Sequence, residues 1–292
     1  MSALAIALVL LSALFHALRS LFTKESGDKQ IFLWLYSTIA LLFFSPVFLY
    51  VLFRVGINDP SAYAWCAGSG FIHFLYWLFL TLAYKEGDLS HVYPIMRSSP
   101  ALVLIIAVLI LGEQVSLQGV AGILLVAVGV YVINMKRISG QELLAPVKSV
   151  AHDRSTQFAF LTLISVAIYS IVDKMAVAHI HPILFSFFHL FCGMCFYTPY
   201  IAFTKRATQI KKEWQLGTTR IIMAGIIGIV GYAFILVAFT IERVSYIVGL
   251  RQISIVFAVV MGGHFLKEKH QGMRLTGALI IFAGGFLISL AK

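Results

Sequence analysis

Ten apolar runs, each about long enough to cross a bilayer, follow one another along 292 residues with short polar connectors between most of them. They fall at about 3–22, 31–53, 62–84, 89–111, 115–134, 156–178, 182–204, 220–241, 244–266 and 273–291. Within lipid the backbone must satisfy its own hydrogen bonds, so runs of this kind become helices. The chain therefore predicts an all-α integral membrane fold, and so little sequence is left over that no extramembrane domain fits. Composition agrees. Only 12% of residues are charged, against about a quarter in a soluble domain.

The longest connector, 135–155, holds Lys136, Arg137, Lys148 and Arg154 with Gly140 and Pro146. It divides the chain into repeats at 1–134 and 156–292, five helices each. Sliding 81–134 onto 236–289 pairs Ser90 with Ser245, Ser99 with Ser254, Glu113 with Glu268, Gly122 with Gly277, Gly129 with Gly284 and Ile133 with Ile288. Further upstream, Arg19-Ser20-Leu21-Phe22-Thr23-Lys24 echoes Tyr169-Ser170-Ile171-Val172-Asp173-Lys174. An odd number of helices per repeat turns the second repeat upside down, the plan of many secondary transporters with a midplane substrate site.

The net charge of +10 would suggest nucleic acid in a soluble protein. Here fifteen of the basic residues cluster at connectors 1–2, 3–4, 5–6, 7–8 and 9–10, and three lie at the other face: Arg54, Arg243 and Lys292. The positive-inside rule then places the 135–155 linker in the cytoplasm and both termini outside, in an inner (plasma) membrane. Membrane lipids are the expected surroundings, nucleic acid is not an expected partner, and a monomer is expected. The first span lacks a basic n-region and a cleavage site, so it reads as a retained helix. Cys66, Cys192 and Cys195 read as apolar packing residues.

Four basic residues fall inside spans: Arg19, Arg97, Lys174 and Arg251. Arg97 and Arg251 each sit about eight residues into their span, roughly 12 Å deep at 1.5 Å per residue. A charge near the membrane centre costs ~2.5–3.5 kcal/mol on the most lenient scale, so such a residue faces a polar cavity or a partner. Among span residues Asp173 is the one carboxylate well away from a boundary, and Lys174 beside it is its natural local counterpart. Two arginines thus lack two carboxylates. Either they pair internally, or an anionic substrate neutralises them, since the guanidinium fork suits phosphate and carboxylate.

The run Leu11-Ser12-Ala13-Leu14-Phe15-His16-Ala17-Leu18, then Tyr93-Pro94-Ile95-Met96-Arg97 with Pro100, and Leu111-Gly112-Glu113 carry a family likeness. The second half adds Tyr246, Leu250-Arg251-Gln252, Ser254 and Leu266-Lys267-Glu268. Over essentially its whole length the chain resembles the drug/metabolite transporter superfamily, EamA type. The resemblance implies an antiparallel duplication of ten helices around a central cavity, lined by helices 1, 3, 4, 6, 8 and 9. It implies transport of amino acids, sugars, nucleotide-sugars, organic cations or phosphate esters. Where relatives carry Trp-Asn after His-Ala-Leu, this chain has Arg19-Ser20, which adds a cation near the cytoplasmic end of helix 1. The Tyr-Pro-x-x-Arg run also resembles proteins linked to phosphonate use.

The expected substrate-binding residues are Arg97 and Arg251, with Tyr93, Gln252, His16, Arg19, His73, Tyr76, Tyr232 and Tyr246. Arg19 either reaches the cavity or snorkels to the interface; His16 and His73 either touch substrate or pack; the tyrosines either present hydroxyls or fill the core. Asp173 and Lys174 form either a gate-side pair, a proton site or a surface pair. Pro94 and Gly249, shortly before the two arginines, are expected to weaken their helices. Glu113 and Glu268 read as loop or cap residues, and the glycines of spans 5, 8 and 10 as packing residues.

The expected function is a secondary active transporter of a small anionic or zwitterionic metabolite (amino acid, phosphonate or phosphate ester) working by alternating access. Two alternatives stand beside it: a flippase for a lipid-linked phosphate, and a broad-specificity metabolite or drug exporter. No phosphate-binding P-loop occurs, so ATP use by this chain is not expected. No nucleophile elbow, H-E-x-x-H or paired catalytic carboxylates occur either. No catalytic residue, cofactor or metal is expected.

Overall fold

The computed structural model describes residues 1–86, 89–133, 152–266 and 271–291. The helices are α1 (Ala3–Glu25), α2 (Lys29–Val55), α3 (Ser61–Glu86), α4 (Leu89–Arg97), α5 (Ser99–Leu111), α6 (Leu117–Val132), α7 (Arg154–Ala176), α8 (Pro182–Thr204), α9 (Ala207–Ile241), α10 (Val244–Arg251), α11 (Ile253–Leu266) and α12 (Gln271–Leu290). They make ten transmembrane spans, the fourth being α4 with α5 and the ninth α10 with α11. Several starts are capped by the residue that the sequence supplies there. Ser2, Asp28, Ser116 and Asp153 accept backbone amides of the first turns of α1, α2, α6 and α7. Most of the 135–155 linker, with Glu268 and Lys267, lies outside the described residues.

Two expectations about helix breaks need correction. The interruptions fall at Ser98 and Gln252, not at Pro94 and Gly249. The Ser98 amide donates to Ile95 O (3.2 Å) and the Gln252 amide to Gly249 O (3.2 Å), so each helix tightens by one bond and stops. Pro100 explains the first break: it has no N–H for the carbonyl four residues earlier, and it fits the start of the next helix, where α5 places it. The result is that Arg97 and Arg251 are the last residues of α4 and α10. There the unpaired carbonyls of a helix end favour a cation. The third correction is the 7–8 connector, whose residues 207–216 are helical and run into span 8 through a kink at Gly217.

The repeats are related by a pseudo-twofold axis, and glycines record it. A methyl group on Gly122 would lie 2.8 Å from Gly284 O, and one on Gly129 2.9 Å from Gly277 O. Gly122 and Gly277 are repeat equivalents, as are Gly129 and Gly284. Each glycine therefore meets the equivalent of the other, with α6 ascending as α12 descends, which is the reciprocity of an isologous contact. The larger interfaces obey the same exchange: α1 packs on α9 as α7 packs on α3.

One end of the bundle is basic, with Lys24, Lys29 and Arg274. The opposite end is tied shut. The Met1 ammonium donates to Ser289 O and Ala291 O (3.3 and 2.9 Å), and Ser2 N to Glu242 Oε1 (2.6 Å). Glu113 accepts from the amides of Val244 (2.6 Å) and Ser245 (3.3 Å), capping α10 as expected of a cap residue.

Candidate functional site

A cavity of about 960 Å³ runs from Lys24, Lys29 and Arg274 at the basic end deep into the bundle, as far as Phe239. Among its described lining residues are six basic side chains, those three with Arg19, Arg97 and Arg251, and no carboxylate. The rest of the wall is rich in aromatic rings. Of the expected binding residues, Arg97, Arg251, Tyr93, Gln252, His16, Arg19, His73, Tyr76 and Tyr232 all line it.

Three helices bring the arginines together. α1 presents His16 and Arg19 one turn apart on one face, and its close approach to α9 rests on small residues there: Gly231 faces Phe15 and Gly228 faces the Arg19 side chain. Arg19 does not snorkel away. Its Nη2 meets His16 Nδ1 at 3.0 Å, and its guanidinium lies 5.6 Å from the Tyr36 ring centroid. From the other side, Arg97 Nη2 meets His16 Nε2 at 2.9 Å. A neutral imidazole offers one acceptor nitrogen and a protonated one offers none. In either form, at least one of these arginines faces an N–H instead of a lone pair. The strip Arg19–His16–Arg97 is therefore short of acceptors.

The arginines rest on aromatic faces, Arg97 over Tyr93 (5.2 Å) and Arg251 over Tyr232 (5.5 Å), contacts worth about 0.5–2 kcal/mol each. Arg251 Nε and the Oε1 of neighbouring Gln252 are both buried without a hydrogen-bond partner among the described residues. A buried donor left unpaired costs roughly 1–3 kcal/mol.

Two expectations fail here. Tyr246 does not reach the cavity: it is fully buried, accepts from Ser116 N at 3.0 Å and fills the space that Gly119 leaves by having no side chain. Nor do Asp173 and Lys174 pair, because neighbours on a helix point in different directions. Lys174 Nζ donates to the carbonyls of Phe239 and Glu242 at the closed end. Asp173, fully buried, accepts from the hydroxyls of Ser69 (2.5 Å) and Tyr232. It lies just behind the cavity wall.

The sequence reading missed Tyr36, Trp77 and Tyr169 in the wall, and took Lys24, Lys29 and Arg274 only as markers of orientation. Tyr169 had a signal, since it is the counterpart of Arg19 in the repeat echo. His189 has one edge on the cavity and gives Nδ1–H to Phe185 O (2.9 Å).

Comparison with known proteins fits this architecture. A family model described as the EamA-like transporter family matches residues 3–135 and again 155–290. The chain belongs to the EamA-like transporter family. As a member of it, the protein is a multi-pass membrane protein of small-molecule transport. Multidrug resistance protein EbrB of Bacillus atrophaeus is 33% identical over 106 residues, which is 36% of this chain and 89% of that protein. A protein of known crystal structure superimposes with a TM-score of 0.74, covering 99% of this chain and 98% of its own, at 16% identity. That likeness speaks to the fold alone.

Proposed function

We propose that this EamA-like transporter carries a small anionic metabolite by alternating access, with the cationic cavity as its binding chamber. The observation that supports this most is the lining: six basic side chains and no carboxylate among the described residues. An anion between Arg97, Arg251 and Arg19 gives these donors the acceptors they lack, through charge-assisted hydrogen bonds of about 1.5–3 kcal/mol each. Phosphonates, phosphate esters and amino-acid carboxylates all have the required oxygens. In this arrangement the chamber faces the basic end, which the positive-inside rule assigns to the cytoplasm, with both termini outside an inner membrane. The outward-facing state then needs the ties at the opposite end to part, including Ser2–Glu242 and Glu113 with the start of α10.

The aromatic wall and the name of the Bacillus relative favour a second reading, export of a broad set of compounds. The charge of the lining restricts that set to anions, because organic cations would meet six basic side chains in a wall with no carboxylate among its described residues.

Counterflow into proteoliposomes decides between these readings. The panel is inorganic phosphate, methylphosphonate, glycerol 3-phosphate, alanine, an aromatic carboxylate and an organic cation. The expected result is exchange of one or more anions, lost in Arg97→Ala and Arg251→Ala proteins that elute normally as folded species. Exchange of the cation alone, or full anion exchange by both variants, refutes the anion chamber.

A further inference from the structure

Behind the Tyr232 face of the chamber, a buried cluster joins Asp173 to His73. Resting on the anion reading above, we propose that Asp173 and His73 share one exchangeable proton through Tyr232, and that this proton is taken up together with the anion bound at Arg251.

Counting donors and acceptors leads there. His73 Nδ1 lies 3.0 Å from Ser69 O, a carbonyl that only accepts, so Nδ1 carries a hydrogen. The Ser69 hydroxyl is committed to Asp173 Oδ1 at 2.5 Å. That leaves Tyr232, whose oxygen touches both His73 Nε2, at 3.2 Å, and Asp173 Oδ2. Tyr232 has one hydrogen and serves one of those contacts. The other contact is a hydrogen bond only if its partner brings a proton. Either Asp173 is the neutral acid and donates to Tyr232, which donates to a neutral His73; or His73 is the imidazolium and donates to Tyr232, which donates to the carboxylate. The two forms interconvert when the Oδ2–H bond breaks, the proton joins the tyrosine oxygen, and the tyrosine hydrogen passes to Nε2. Both hold one proton and are neutral overall. With that proton gone, one contact becomes lone pair against lone pair, and a net negative charge stays buried at fully enclosed Asp173.

The surroundings decide what the proton responds to. On α3 the cluster meets Cys66 and His73 itself, and on α8 His189, whose ring centroid is 4.8 Å from that of His73. Tyr169, on the same helix as Asp173, stacks on the His73 ring at 4.2 Å. α4 brings Arg97 to the shared chamber, and α5 has no titratable residue. Lys174 is bound at the closed end. The cation over the cluster's tyrosine is Arg251 on α10, whose guanidinium lies 5.5 Å from the centroid of the same Tyr232 ring that bonds Asp173. When the cluster loses its proton, Arg251 is the charge that compensates it. An anion seated on Arg251 takes that compensation away, so anion and proton bind better together than apart, and the coupling acts equally in both directions. His73 and Tyr232 both line the cavity, which gives the proton its way in and out on the substrate side.

The test uses full-length protein in proteoliposomes, with methylphosphonate as probe. Wild type is expected to accumulate the probe when the trans side is alkaline, and its affinity is expected to fall by up to about tenfold per pH unit above the point where the cluster loses its proton. Asp173→Asn stands in for the neutral acid. It is expected to keep counterflow exchange while losing accumulation driven by the pH gradient. Proton uptake on binding, read with a pH dye as wild type minus Asp173→Asn, cancels the titration of the probe itself and is expected to be one per site. Where Asp173→Asn does not fold, pH-difference infrared spectra of wild type are expected to show a buried carboxylic acid band that Tyr232→Phe shifts, and the absence of that band overturns the proposal. The proposal is overturned if wild type exchanges methylphosphonate with an affinity indifferent to pH, or if Asp173→Asn still accumulates it down a pH gradient. Absence of methylphosphonate exchange with the carboxylic acid band intact instead counts against phosphonates as the anion.

Discussion

Arg97 and Arg251 end corresponding half-helices one residue out of register in the repeat alignment, where Arg97 pairs with Gln252, and each lies over a tyrosine, yet their surroundings differ. Arg97 is held from one side by His16, which it shares with Arg19. Among the described residues Arg251 Nε is buried without a hydrogen-bond partner, as is the neighbouring Gln252 Oε1, and the tyrosine under Arg251 is bonded to Asp173. The two repeats share one scaffold, and different residues on α1 and α7 give each copy a different neighbour. The counterpart of Arg19 is Tyr169, and that of Thr23 is Asp173. The lesson is that a pseudo-twofold axis fixes where two charges sit without fixing what they do. In this protein the first arginine belongs to a fixed cationic strip, and the second to a corner whose charge balance can change.

The largest effect that separates the two corners is expected from alanine substitutions. Each removes a charge-assisted bond to the anion, and affinity falls roughly tenfold to a hundredfold. Arg97→Ala keeps the pH dependence of the remaining binding, whereas Arg251→Ala abolishes it. Equal pH profiles for the two variants would erase the distinction drawn between them. Isothermal titration at three pH values, with any anion that exchanges, measures both quantities.

The α6–α12 contact is expected to show the opposite behaviour, because there the two halves remain equivalent. Gly122→Leu and Gly277→Leu both force a side chain against backbone, Gly284 O at 2.8 Å for the first and Ile133 N at 2.6 Å for the second. Overpacking of this kind costs about 1–3 kcal/mol. Both variants should lose thermal stability to a similar extent while anion affinity in the folded fraction stays unchanged. A large inequality would show that the twofold relation does not extend to energetics.

How much of this could be read beforehand depends on the kind of feature. Spans, duplication and the buried arginines are consequences of lipid as a solvent, and apolar runs with two costly charges write them directly into the sequence. Three features escaped. The break at Ser98 escaped because the missing N–H of Pro100 acts four residues upstream, while attention falls on Pro94 inside the helix. Lys174 looked like the partner of Asp173 because sequence adjacency suggests contact, and helix geometry turns the two apart. Tyr246 looked like a cavity tyrosine because nothing local reveals that Gly119, far away in the chain, leaves a slot for its ring. Arg19 was legible as an added cation, but only packing of α1 against Gly228 shows that it turns inward.

Smaller effects are expected from the two tyrosines. Tyr93→Phe keeps a ring beneath Arg97 and removes only a hydroxyl, so affinity should shift by less than about threefold at every pH. Tyr232→Phe likewise keeps the ring beneath Arg251 but cuts the link between His73 and Asp173. Its affinity at low pH should resemble wild type, while its pH profile flattens. A flat profile in Tyr93→Phe, or an unchanged one in Tyr232→Phe, places the pH-sensitive element at the wrong corner.

Any such pH comparison must be kept apart from the acid lability of the fold itself, and the α7 cap marks where that begins. The hydroxyls of Ser155 and Thr156 and their amides donate to Asp153 and hold its carboxyl down at about 2, outweighing a small opposing effect of burial. A carboxylate whose folded value is depressed adds stability that is complete above its unfolded value, ~3.9, and is lost as pH falls toward 2. Asp153→Asn should therefore lower the melting temperature slightly at neutral pH and reduce its fall between about pH 4 and 2. The same variant should leave anion affinity near neutrality untouched, since Asp153 caps the start of α7, about five and a half turns from Asp173 at 3.6 residues per turn. A change in the neutral-pH binding profile of Asp153→Asn would mean that pH acts through α7 as a whole, and the Arg251 corner would lose its claim to be the sensor.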